Sequence, residues 1–194
     1  MIVGNPSTFA LESRVNKAFE RMSFRALGSF TILIDGQRYG VHEPNATLLA
    51  VSLDEVQRRI HRRGTHLTPF THADPGVIAD AFRAAIYGKE YGTPYPGMTL
   101  EDLANIVYSS RITWAPDGDQ AFDDGSYVLQ FDSDHRVRLV AFKTRQDGHY
   151  DPPTLKDLWL ESEQFYGVLR SPIFPMHKKS KAITRMSNRS TEDS

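Results

Sequence analysis

The sequence predicts a single α+β domain, with a mainly antiparallel sheet built from hairpins and about four helices. Three observations predict this class. Two hairpin signals lie far apart in the chain, four segments carry helix caps with apolar stripes, and no regular strand–helix–strand repeat connects them. With 194 residues, 40% of them apolar and 11% aromatic, the chain can bury one ordinary core.

The elements follow in order. Met1-Ile2-Val3-Gly4-Asn5-Pro6 is a short apolar start leading into Phe9-Ala10-Leu11-Glu12. Residues 8–22 fit two periods. Phe9, Leu11, Ser13 and Val15 read as a strand, whereas Leu11, Val15, Ala18 and Met22 read as a helix; a strand entering from Phe9 is favoured. Phe30, Ile32 and Ile34 then alternate with Thr31, Leu33 and Asp35, and Asp35-Gly36 is the strongest short hairpin signal. Thr47 to Val51 is an apolar run read as a strand. Ser52 with Glu55 three residues on forms a capping box, and Leu53, Val56 and Ile60 give a stripe ending before Gly64. Asp74-Pro75 opens a second helix with Val77, Ile78, Ala81, Phe82, Ala85 and Ile86 facing inward, closed by Gly88. Thr99 opens a third, with Leu100, Leu103 and Val107 inward. Tyr127, Leu129 and Phe131 alternate with Val128 and Gln130; after a polar turn from Asp132 to His135, Val137, Leu139 and Ala141 alternate with Arg138 and Val140. Thr154 opens the last helix, carrying Leu155, Leu158, Trp159, Phe165 and Leu169 up to Pro172.

Charge is unevenly spread. The formal net charge is −1, yet the segment from His177 onward holds five bases and two acids, leaving about −4 on residues 1–176. A domain over 1–176 with a disordered basic tail over 177–194 is therefore expected. The absence of cysteine excludes disulfides, thiolate metal sites and cysteine nucleophiles. With neither a secretory-signal pattern nor an apolar run approaching about 20 residues, a soluble cytoplasmic protein is expected.

Catalytic motifs are missing: there is no G-x-S-x-G elbow, no phosphate loop and no G-x-G-x-x-G turn. His61, His66 and His72, with Asp74 beside them, invite a metal-dependent hydrolase. Their spacings of five and six do not stack ligands on one helical face, and Gly64 interrupts the helix, so neither metal nor cofactor is expected. A calcium loop counted from Asp117 fails at its fifth, sixth and twelfth positions, which are Ala121, Phe122 and Val128. Arg58, Arg59, Arg62 and Arg63 would serve an RNA-binding module formed by helix 53–63 and the basic tail. However, Asp54 and Glu55 precede Arg58 and Arg59 by four residues, and Arg62 and Arg63 suit the helix C-terminus, as in any solvated helix.

The acidic window is the candidate contact surface. Between Ala115 and Asp134 stand Asp117, Asp119, Asp123, Asp124, Asp132 and Asp134, with no Lys or Arg among them. Folded side by side, the loop and hairpin tip would form a negative patch able to steer a basic partner. Tyr91 and Tyr95, in a Gly- and Pro-rich loop, are secondary candidates for an interface, or for rings that fold back and anchor their own loop.

The opening segment, Met1 to Pro6 with Phe9 to Glu12, then Gly28 to Gly36 and Tyr39, resembles the Immunity protein 42 family of bacterial polymorphic-toxin systems. Contact-dependent growth inhibition loci are among these systems. The resemblance is clearest over about the first fifty residues, and its motifs are structural. It implies a small cytoplasmic protein without catalytic residues that binds and neutralises a cognate toxin C-terminal domain, often a nuclease. A nuclease presents Lys and Arg to phosphate, so an aspartate-rich surface would mimic its substrate's charge.

Overall fold

The computed structural model describes residues 1–18, 26–115 and 119–173. The basic tail expected over 177–194, together with Asp117, lies outside them. Among the described residues, two antiparallel sheets and four α-helices make up the fold.

The first sheet contains β1 (Ile2–Gly4), β2 (Phe9–Ala18), β3 (Ala26–Ile34) and β4 (Gln37–Tyr39) in that spatial order. A short β5 (Thr47–Leu48) pairs with β3 further along the same edge that β4 occupies. Asp35 and Gly36 both take positive φ, 49° and 74°, between the paired residues Ile34 and Gln37. That is the two-residue turn whose twist suits adjoining strands, as Asp-Gly predicted. The strand reading from Phe9 holds for β2. At Gly28 a Cβ would stand 1.9 Å from the Arg14 carbonyl oxygen, so only glycine lets β2 and β3 approach this closely.

Helix α1 (Leu49–His61) starts three residues before the predicted capping box. Leu49 is buried in the core, Ser52 is buried as well, and Glu55 turns to Arg58 and Arg59. Burial of Leu49 draws the apolar run into the helix, leaving only two residues of the expected strand. Helix α2 (Pro75–Tyr87) matches prediction: Asp74 Oδ1 accepts from Gly76 N and Val77 N at 2.9 and 3.2 Å, and Gly88 ends it. Val77, expected inside, is instead exposed. Thr99 caps α3 (Leu100–Ser110) by accepting from Asp102 N.

The second sheet runs β6 (Thr113–Ala115), β7 (Ser126–Ser133), β8 (Arg136–Lys143) and β9 (Lys156–Glu161). Strand β9 and the short α4 (Ser162–Arg170) replace the helix expected from Thr154. The Thr154 hydroxyl accepts from Lys143 N at 2.8 Å and donates to the Asp151 carbonyl, so it closes a turn and caps nothing. Arg138 of β8 then holds Asp157 with two bonds of 2.7 and 3.0 Å.

Both faces of the second sheet are buried. Val128, Val137, Leu139 and Ala141 meet Phe9, Leu11, Phe30 and Ile32 of the first sheet, with Val56 of α1 and Phe165 of α4. Tyr127, Leu129, Phe131, Val140 and Phe142 face Ile78 and Phe82 of α2 and Leu103 and Val107 of α3. Period-2 alternation thus divides one hairpin between two cores. No helix among the described residues is long and apolar enough to cross a membrane.

Candidate functional site

The predicted acidic residues separate. Asp119 opens a short 3-10 turn over Gln120–Phe122 and accepts from Ala121 N at 3.0 Å. Burial raises its carboxyl above the ordinary Asp range; the Ala121 bond opposes this, while the charges of Asp123 and Glu55 add to it. Asp123 is exposed at the end of that turn. Asp124 accepts from Ser126 N and pairs with Lys143 Nζ at 2.5 Å. Asp119, Asp123 and Asp124 therefore form one patch, with Glu55 of α1 near enough for its charge to be felt.

Asp134 does not join this patch. It lies at the β7–β8 turn with φ 48°, and β7 separates it from Asp124 by about 24 Å at the usual strand rise. Asp132 is 5% exposed and cannot make a surface contact. The alternation of β7 points Gln130 and Asp132 inward, and residues distant in sequence supply their partners. Asp132 Oδ2 meets His66 Nδ1 at 2.8 Å and accepts from His66 N at 3.1 Å; its Oδ1 accepts from the Tyr166 hydroxyl at 3.1 Å. Gln130 Nε2 donates to the same hydroxyl at 3.0 Å. Burial penalises the Asp132 carboxylate, yet the His66 and Tyr166 bonds outweigh it and hold the carboxyl below the ordinary range. Tyr166 is pushed up, by burial first and Asp132 next.

The tyrosines of the 87–97 loop turn inward. Tyr95 packs on Phe70 with ring centres 5.4 Å apart, and Tyr91 sits edge-on to Tyr87. A Cβ on Gly148 would lie 2.5 Å from the Tyr91 ring. Buried Arg83 lies over the Tyr87 ring at 4.0 Å and donates to the Tyr127 hydroxyl at 2.8 Å. These contacts anchor the loop to β7, although Tyr91 and Tyr95 each remain half-buried.

The histidines also disperse. His61 Nδ1 lies 2.7 Å from the Gln57 carbonyl, His66 belongs to the Asp132 cluster, and His72 stacks on Trp159 at 5.3 Å. Among the described residues no three His, Asp or Glu side chains converge as metal ligands.

The four arginines of α1 and its end have different fates. Arg59 is 2% exposed; it binds Glu55 at 2.7 Å and donates to the carbonyls of Arg111 and Thr113. Burial lowers its pKa while Glu55 opposes the shift. Arg58 also pairs with Glu55, and Arg63 with Glu163 at 2.6 Å. Arg62 has no ion pair among the described residues. It lines a cleft of about 360 Å³ between α1, α2, α3 and β6, with Arg58, Arg111, Ile86, Val107 and the exposed Tyr108. His66 also lines it. Sequence reasoning missed this cleft. Arg58 and Arg62 were visible in the sequence, but nothing local placed α3 and Arg111 opposite them.

The described residues form an α+β scaffold that offers solvent an acidic patch and an arginine-lined cleft. Residues 1–173 match the family described as Immunity protein 42, and the chain belongs to that family. Among solved structures, it is similar to the crystal structure of CdiI from Burkholderia dolosa AUO158, with a TM-score of 0.54 and 17% identity. That likeness covers 88% of this chain and 96% of the other, and at such identity it speaks to fold alone. No curated protein matches the chain.

Proposed function

We propose that this protein is a bacterial immunity protein of the contact-dependent growth inhibition type. It binds and neutralises a cognate toxin C-terminal domain in the cytoplasm by occluding the toxin's active or substrate-binding surface. The observation that carries this reading is membership of the Immunity protein 42 family over residues 1–173. The CdiI likeness supports the same fold for the role. The work is complementarity; no catalytic step by this chain is needed.

The toxin is a nuclease-like domain with a basic substrate face. Asp119, Asp123 and Asp124 are the acidic contacts, since they lie together at the surface end of β7. Such charges steer encounter and set orientation more than final affinity. Tyr91 and Tyr95 support the neighbouring loop, and Asp134 contributes only if the interface spans the length of the hairpin.

The test pairs this protein with the C-terminal domain encoded immediately upstream. Copurification of the two, and survival of cells expressing both, are expected. Asp123→Lys should slow association and reduce its dependence on salt. Cells that carry this protein yet die from the neighbouring toxin domain would overturn the immunity reading. Unchanged kinetics for Asp123→Lys would remove the acidic patch from the interface and leave the rest standing.

A further inference from the structure

We propose that the arginine-lined cleft between α1, α2 and α3 is a second toxin-docking site, occupied by an acidic loop of the toxin that presents an apolar side chain beside its carboxylate. This rests on the immunity reading above and adds to it the chemistry of one contact.

Charge is the first argument. Arg58, Arg62 and Arg111 line the cleft, and Glu55 is already shared between Arg58 and Arg59. Arg62 and Arg111 meet no carboxylate among the described residues, so the cleft offers solvent a surplus of positive charge. Guanidinium groups bind carboxylates through paired N–H donors, and such bonds gain strength where apolar walls exclude water.

Shape is the second. About 360 Å³ suits one or two side chains. Ile86 and Val107 supply apolar wall, while Tyr108 is 66% exposed at the margin. A large aromatic standing in water beside unpaired arginines has the composition of an interface anchor.

Backbone geometry is the third. Arg111 ends α3 in the left-handed region, φ 49° and ψ 40°, where glycine is the usual occupant. Arginine there bears the conformational cost and brings a cation to the cleft. Its carbonyl accepts from buried Arg59 at 3.0 Å, which helps hold the strained residue in place.

The neighbouring charges favour a protein over a nucleic acid. Asp119 lies close enough to α1 for the charge of Glu55 to act on it. Glu55 itself lines the cleft, and a phosphate backbone laid across it would meet that carboxylate. A toxin with a basic face and an acidic protrusion satisfies both patches, and in one orientation only.

The experiment measures binding of the upstream-encoded toxin domain to the full chain by biolayer interferometry. The variants are R62E/R111E and Y108S, with circular dichroism melts to confirm folding, since all three side chains reach solvent. Each variant is expected to weaken binding at least about tenfold, mainly through faster dissociation. Wild-type affinity in both would overturn the cleft site while leaving the immunity reading intact. Failure of the unmodified chain to bind would overturn both. A labelled single-stranded RNA that binds the unmodified chain and is lost in R62E/R111E, with toxin affinity unchanged, would reassign the cleft to nucleic acid and overturn the proposal.

Discussion

Asp132 shows how a residue's role depends on which way its strand faces. In sequence it is one of six aspartates in a window, 115–134, that holds no Lys or Arg; in the fold it is the buried centre of a cluster with His66, Gln130 and Tyr166. Removing a carboxylate from such a cluster leaves several buried donors unpaired. Asp132→Asn is expected to cost about 3 kcal/mol at pH 7, measured by urea unfolding. The pH dependence has a definite sign. The folded carboxyl titrates below the ordinary Asp range, so on acidification the unfolded chain takes up its proton first. The stability it contributes is therefore present above about pH 5 and falls away as the pH drops through the folded value. The gap between wild type and Asp132→Asn should narrow toward about pH 3. A constant gap would show that the carboxylate charge contributes nothing.

Among the elements, the clearest departures occur where a neighbour supplied hydrogen bonds that the sequence could not announce. Leu155, Leu158 and Trp159 have helical spacing, but the free edge of β8 offers backbone partners to 156–161 and Arg138 holds Asp157. Arg138 also donates to the Thr71 and Ala73 carbonyls, tying the segment before α2 to the second sheet. Asp157→Ala is expected to lower stability by about 2 kcal/mol, because the buried guanidinium loses its only anionic partner among the described residues. Arg138→Lys should cost at least as much, since one ammonium cannot reproduce the paired geometry. Thermal unfolding of both variants checks this, and wild-type melting would rule out the anchoring role. Helices with side-chain caps, α2 and α3, were legible because Asp74 and Thr99 act within three residues. Helix α1 was displaced because its start depends on where Leu49 is buried.

The whole molecule turns on a sheet buried on both faces. Phe165 fills the core between the two sheets, and Phe82 fills the core under α2 and α3. Both cores press on β7 and β8, so they should lose structure together. Phe165→Ala and Phe82→Ala are each expected to cost about 3–5 kcal/mol and to shift one shared cooperative transition. Two resolved transitions in either variant would show that the cores unfold separately. The same architecture explains the separation of the candidate site residues. A strand of eight residues carries the acidic loop at one end and Asp134 at the other, while helices from two parts of the chain enclose the arginine-lined cleft.

The sequence by itself determined the α+β class, the Asp-Gly and 126–143 hairpins, the capped helices α2 and α3, and the resemblance to an immunity family. Each of these is written in residues close together along the chain: turn chemistry, caps and alternation act over two to four positions. Tertiary structure decided that both faces of β7 were buried, that 156–161 became a strand, that Asp132 pairs with His66, and that Arg62 and Arg111 share a cleft. Those outcomes depend on contacts between segments tens of residues apart, where burial and backbone pairing override local preference.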